Sequence, residues 1–193
     1  AWSKHVTILD GEETRGGLSV NPGACVDGFV IRSCRARYGA GVYAGSAALG
    51  LENPRSTLAN CLFIGNQAEM SGGALFASSA TRIRVENCLF IENRSMTAGA
   101  VRSANYSRLH AVNCTFYGNI VTEYDNGVLW VEHDAEPATI VNCIFWNDAE
   151  HQILNSSPNP LTVRCCNVGA GYAGTGNLDC CLSYKYPRPP ARP

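Results

Sequence analysis

The chain has 193 residues, 46% of them apolar, with 19 glycines, ten cysteines and a formal net charge of −1. These figures suit one packed, turn-rich domain and exclude a disordered chain. The basic residues, of which only Lys4 and Lys185 are lysines, are scattered, which excludes a nucleic-acid footprint, and no apolar run reaches the roughly 18 residues of a membrane span.

In chain order, strand-like residues come first, in HVTILDG at 5–11, behind an opening that lacks the charged and apolar regions of a signal peptide. A secreted form has therefore shed its leader. A frame then starts at Val26, Gly28, Phe29 and Ile31 and returns in ANCLFIGN (59–66), ENCLFIEN (86–93), VNCTFYGN (112–119) and VNCIFWND (141–148), with a weaker copy at Val163, Cys165, Cys166 and Val168. Between the frames come YGAGVYA (38–44), SGGALFA (71–77), TAGAVRS (97–103) and DNGVLWV (125–131), each with a glycine in a matching place, Gly41, Gly73, Gly99 and Gly127.

Four columns follow from aligning the frames. One is apolar (Val26, Leu58, Val85, Ala111, Ile140, Val163) and one is a turn column (Gly28, Asn60, Asn87, Asn113, Asn142, Cys165). Next come Phe29, Cys61, Cys88, Cys114, Cys143 and Cys166, then Ile31, Phe63, Phe90, Phe116, Phe145 and Val168. The last column recurs at intervals of 32, 27, 26, 29 and 23 residues, so loops vary while the frame persists, as in a solenoid. Cys and Phe two apart, in short segments bounded by Gly, Asn and Ser, read as strands rather than helices. The expected fold is all-β, a parallel β-helix of about six to seven rungs spaced about 4.8 Å apart, in which like stacks on like. Asparagine makes the corner in a left-handed conformation, cysteine is a small inward filler, and phenylalanine carries the apolar payload. The repeated glycines are expected to give positive-φ bends between sheets. Residues 1–182 form the single domain and 183–193 an extended Pro-rich tail.

SGGALFA paired with CLFIGN resembles the GGA[IL] and FxxN repeats of polymorphic outer-membrane proteins, which are right-handed parallel β-helices. TILDG, VDGFVI and the stretch from CIFWNDAEHQILNSS to GNLD are further similar to large secreted bacterial β-helix proteins. The resemblance covers about residues 5–179 and implies a secreted or cell-surface, adhesin-like role; CCLSYKYPRPPARP after GNLD departs from it.

Parallel rungs bring Cα atoms within disulfide range, but parallel Cβ vectors keep Cβ atoms about 4.8 Å apart, beyond the usual 3.5–4.5 Å. Cys61, Cys88, Cys114 and Cys143 are therefore expected to be free and buried. Any disulfides fall among Cys25, Cys34, Cys165, Cys166, Cys180 and Cys181, with connectivity open. No CxxC pair is present, and thiols in one line do not make a tetrahedron, so neither a metal nor a cofactor is expected.

Hydrolysis or elimination on such a coil needs clustered carboxylates on an outer face. The best local run is TEYDNGVLWVEHDAEP, with Glu123, Asp125, Glu132, His133, Asp134 and Glu136; Glu132 and Asp134 are expected on one side of a strand with His133 opposite. Tyr124, Trp130 and Trp146 are the residues that could stack on a glycan, and alternation points Trp146 outward. Outward Leu62, Leu89, Thr115 and Ile144 form a short apolar stripe expected to be covered by a loop or a partner chain. Sequons at Asn93, Asn105, Asn113 and Asn155 matter only in a eukaryotic secretory route. The favoured reading is a non-catalytic extracellular structural or adhesive protein whose open β-helix ends self-associate, into a filament or within a longer surface protein. The alternative is a polysaccharide-binding or polysaccharide-degrading module.

Overall fold

The structure, a computed structural model, describes residues 6–45, 55–124, 127–169 and 177–179. The tail at 183–193, Asp125, Cys180 and Cys181 lie outside the described residues. Four parallel sheets run side by side along the coil, and within each one every strand pairs with its equivalent one turn away. The first sheet carries Thr7–Asp10, Phe29–Arg32, Leu62–Ile64, Leu89–Ile91, Thr115–Tyr117, Ile144–Trp146, Asn167–Val168 and Leu178–Asp179. We call it the phenylalanine sheet. The coil makes about five turns rather than six to seven. The sequence count treated each frame as a full rung, whereas among the described residues the side that carries Arg35–Tyr38, Gln67–Ser71, Arg94–Ser95 and Ile120–Val121 has these four strands.

The columns stack as their chemistry requires. Phe63, Phe90, Phe116 and Phe145 are in register, fully buried, with ring centroids 4.9, 4.6 and 4.3 Å apart and planes within 4° of parallel. Rung spacing imposes this face-to-face arrangement, because rings on equivalent strands have no room to tilt. The apolar column from Val26 to Val163 is likewise in register across the sheet that begins at Cys25–Asp27.

Asn60, Asn87, Asn113 and Asn142 turn the corner with φ of 52°, 53°, 55° and 51°, and Gly28 and Cys165 hold the same conformation. A short amide side chain tolerates this left-handed region best among non-glycine residues. Each Nδ2 donates to the amide oxygen of the rung before, and Asp27 ends the row by accepting from Asn60 at 2.7 Å.

A second asparagine ladder, Asn66, Asn93, Asn119 and Asn147, is hidden at the next corner. Asn66, Asn93 and Asn119 have no exposed surface. Asn93 Nδ2 donates to Phe63 O (3.1 Å) and Asn119 Oδ1 (3.0 Å), while its Oδ1 accepts from the backbone N–H and the Nδ2 of Asn66. Gln152 closes the row by accepting from Asn147 Nδ2. In the first three rungs a left-handed residue, Gly65, Glu92 or Gly118, precedes the asparagine. VNCIFWND lacks that residue, and Asn147 joins the ladder one position earlier in the frame.

The repeated glycines work differently from expectation. Gly41, Gly73 and Gly99 do not have positive φ; the bends belong to Gly39 (54°) and Gly72 (67°), and of the matched set only Gly127 (84°) is left-handed. The other three permit close approach. A Cβ on Gly73 would lie 2.2 Å from Gly99 O, and one on Gly41 2.7 Å from Ala74 O, so the next rung could not pass.

Candidate functional site

Of the candidate acids, Glu132 lies just beyond the strand Leu129–Val131. Expectation put Glu132 and Asp134 on one side of a strand, but the chain turns at once, closed by Ala135 N donating to Glu132 O at 2.9 Å. Each carboxylate has its own partner. Glu132 Oε1 accepts from an Arg102 NH2 group at 2.5 Å, and only 17% of the arginine side chain and 13% of the glutamate side chain are exposed. Asp134 Oδ1 instead accepts from the backbone N–H of Asn105 at 2.8 Å, fastening the turn of the rung below. His133 is exposed, 4.0 Å from Glu132 through Nδ1, and Glu136 pairs with Arg108. Glu132, Asp134 and Glu136 thus each hold a group on a neighbouring turn.

Arg102, which sequence reasoning passed over, organises this face. Its guanidinium lies 4.5 Å from the Trp130 ring and 5.2 Å from Phe76, which in turn stacks on Tyr43 at 5.7 Å and meets Tyr38 in a tilted contact at 5.2 Å. Register places Tyr43, Phe76, Arg102 and Trp130 directly above one another on the outer face. A planar, weakly hydrated cation fits between aromatic faces where lysine would not. Trp130 points outward, half-buried, and donates through Nε1 to Ser156 Oγ at 3.0 Å. The available signal was the aligned outward position three residues after Gly73 and Gly99, but alignment did not reveal the charge among the aromatics.

Trp146 is outward and exposed as alternation required, and Tyr124 is exposed as well. Trp146 belongs to a longer apolar surface on the phenylalanine sheet. One outward column holds Ile8, Val30, Leu62, Leu89, Thr115 and Ile144; the other holds Asp10, Arg32, Ile64, Ile91, Tyr117 and Trp146. Ile8 (51%), Tyr117 (53%), Ile144 (45%) and Trp146 (46%) stand well exposed, and no described residue forms the covering loop expected there. Two of the other outer faces are more polar. Thr57, Arg84, His110, Thr139 and Thr162 line one, and Arg35, Gln67 and Arg94 another.

Cys61, Cys88, Cys114 and Cys143 are free and buried, and Cys166 extends their column. Cys25, Cys34 and Cys165 are free too, so no disulfide occurs among the described residues. Each thiol of the column donates to a carbonyl two residues back, for example Cys114 Sγ to Val112 O at 3.2 Å. Cys114 favours the Cys88 thiolate, but Cys61 and burial outweigh it and push Cys88 up to about 12. Cys114 is also raised to about 12, its contact with Cys143 being overcome by Cys88 and burial; Cys143 reaches about 12 through Cys114. Cys61, at the end of the row, goes down because Cys88 donates toward it. Cys88, Cys114 and Cys143, buried and raised, are packing groups rather than nucleophiles. Among the described residues no three of His, Cys, Asp or Glu gather as metal ligands would, and no helix is long and apolar enough to cross a membrane.

The chain is similar to the metabotropic glutamate receptor-like protein P of Dictyostelium discoideum, with 28% identity over 117 residues. These cover 57% of this chain and 8% of that protein, so the chain spans a small fraction of this curated relative. No solved structure matches with statistical significance. A family model described as the right handed beta helix region matches residues 11–145, over half of the sequence, and the in-register Phe, Cys and Asn columns of those residues agree with it: the chain belongs to that family.

Proposed function

We propose that this β-helix is a non-catalytic, extracellular or cell-surface module that works by contact, presenting a rigid outer face and open ends to other molecules. The observation that carries the reading is how the side chains are spent. Glu132 and Asp134, the acids best placed for work on a polysaccharide, hold Arg102 and the Asn105 turn, while apolar side chains of the phenylalanine sheet stand exposed. A surface of that kind gains by association, because removing apolar area from water is worth roughly 25 cal/mol per Å². The receptor-like relative, many times longer than the matched segment, supports a role as one contact module at a cell surface. Among the described residues, the first strand, Thr7–Asp10, pairs with one neighbour, Phe29–Arg32, and an unpaired strand edge is a surface that a further strand can extend.

The competing reading is a polysaccharide-degrading module. Incubating the protein with neutral and uronate-containing glycans, beside Glu132→Ala and Asp134→Ala, separates the two. No turnover by the native chain is expected. Turnover abolished in either variant, with the fold intact by circular dichroism, would overturn the proposal. Glycan binding without turnover would identify the contact partner as a sugar.

A further inference from the structure

We infer that the outer face of the phenylalanine sheet is an interface between two copies of this chain, packed sheet on sheet about a two-fold axis. It is a lateral, closed contact, distinct from stacking through the open ends.

The first argument is area. Burying an aromatic side chain covers about 150–250 Å², so half-exposed Tyr117 and Trp146 alone leave on the order of 200 Å² for a partner. With Ile8, Ile144 and the half-buried Val30, Leu62, Ile64, Leu89 and Ile91, the patch reaches about 600 Å², the upper end of what a monomer exposes. Two such faces together approach about 1,200 Å², where specific stable interfaces begin.

The second argument is charge. Asp10 and Arg32 are the only charged residues in the two outward columns from Ile8 to Trp146, and they bond to each other at 2.7 Å. A second copy would bring no unpaired charge against this one. The third is shape. With the axis between Leu62 and Leu89, the rungs of Ile8 and Val30 meet those of Trp146 and Tyr117 of the second copy, so the smaller side chains face the larger ones. Flat sheets with apolar outer faces pack about 10 Å apart in this manner.

Sedimentation equilibrium of the whole chain from low micromolar to several hundred micromolar tests the inference. The native protein should fit a monomer–dimer equilibrium. Leu89→Lys with Ile144→Asp should raise the dimer dissociation constant at least tenfold while the far-ultraviolet spectrum is unchanged, and Tyr117→Ser should weaken it less. Thr162→Lys, on a polar outer face, should leave it alone. A native chain that stays monomeric throughout overturns the inference, and so does a dimer indifferent to the face substitutions. An open-ended oligomer series indifferent to them also overturns it, while upholding association through the ends.

Discussion

Replacing Asn93 by alanine tests whether the buried amide ladder holds the rungs together. Asn93 makes four ladder contacts: Nδ2 to Phe63 O and Asn119 Oδ1, and Oδ1 from the N–H and Nδ2 of Asn66. Alanine leaves the Asn66 N–H buried without its acceptor, a loss of about 1–3 kcal/mol, and removes three further bonds at about 0.5–1.5 kcal/mol each. Asn66 Nδ2 keeps Ile31 O, and Asn119 Oδ1 keeps the Asn93 N–H, so the lower part of the range applies. The expected destabilisation is about 2.5–5 kcal/mol, a large share of the roughly 5–15 kcal/mol of a typical domain. Asn87→Gly is the contrast: it keeps the left-handed corner, loses only exposed bonds, and should cost less than about 1 kcal/mol. Urea unfolding followed by circular dichroism measures both, comparing midpoints and slopes because a solenoid need not unfold in two states. A loss below about 1 kcal/mol for Asn93→Ala, or one no larger than for Asn87→Gly, refutes the reasoning.

Phe116→Ala, taken from between Phe90 and Phe145, should cost about 3–5 kcal/mol, read from the same unfolding midpoint. Gly73→Ala should prevent folding, seen as loss of the β spectrum, because its methyl group meets the backbone of the next rung at Gly99. Cys88, Cys114 and Cys143 have folded pKa values raised above those of free thiols, so the native state holds their protons longer than the unfolded state. Stability from this source is complete below the unfolded pKa near 9 and falls as pH rises toward 12; the unfolding midpoint should drop over that window, and less so in Cys114→Ala. At pH 8, thiol labelling of the native protein followed by peptide mass spectrometry should modify Cys25 and Cys165 and spare the buried column until denaturant is added. Arg102→Met should cost about 1–3 kcal/mol and change Trp130 fluorescence, since it strips a cation from two aromatic rings and leaves partly buried Glu132 unpaired.

The repeat frame alone determined the fold class, the inward Cys and Phe columns, the Asn corner and the outward direction of Trp146. The reason is that a parallel coil maps like onto like at one rung spacing, so column identity in the sequence is contact identity in space. Tertiary structure decided what depends on distances across rungs. Gly73 is required by a neighbouring carbonyl rather than by its own φ, and Asn147 keeps the ladder despite a shorter turn. Glu132 and Asp134 bond to different partners beyond the strand end at Val131. Arg102 lies between Phe76 and Trp130 because register stacks equivalent positions of three repeats whose residues there differ in kind, and the same register gathers the apolar side chains on the outer face of the phenylalanine sheet.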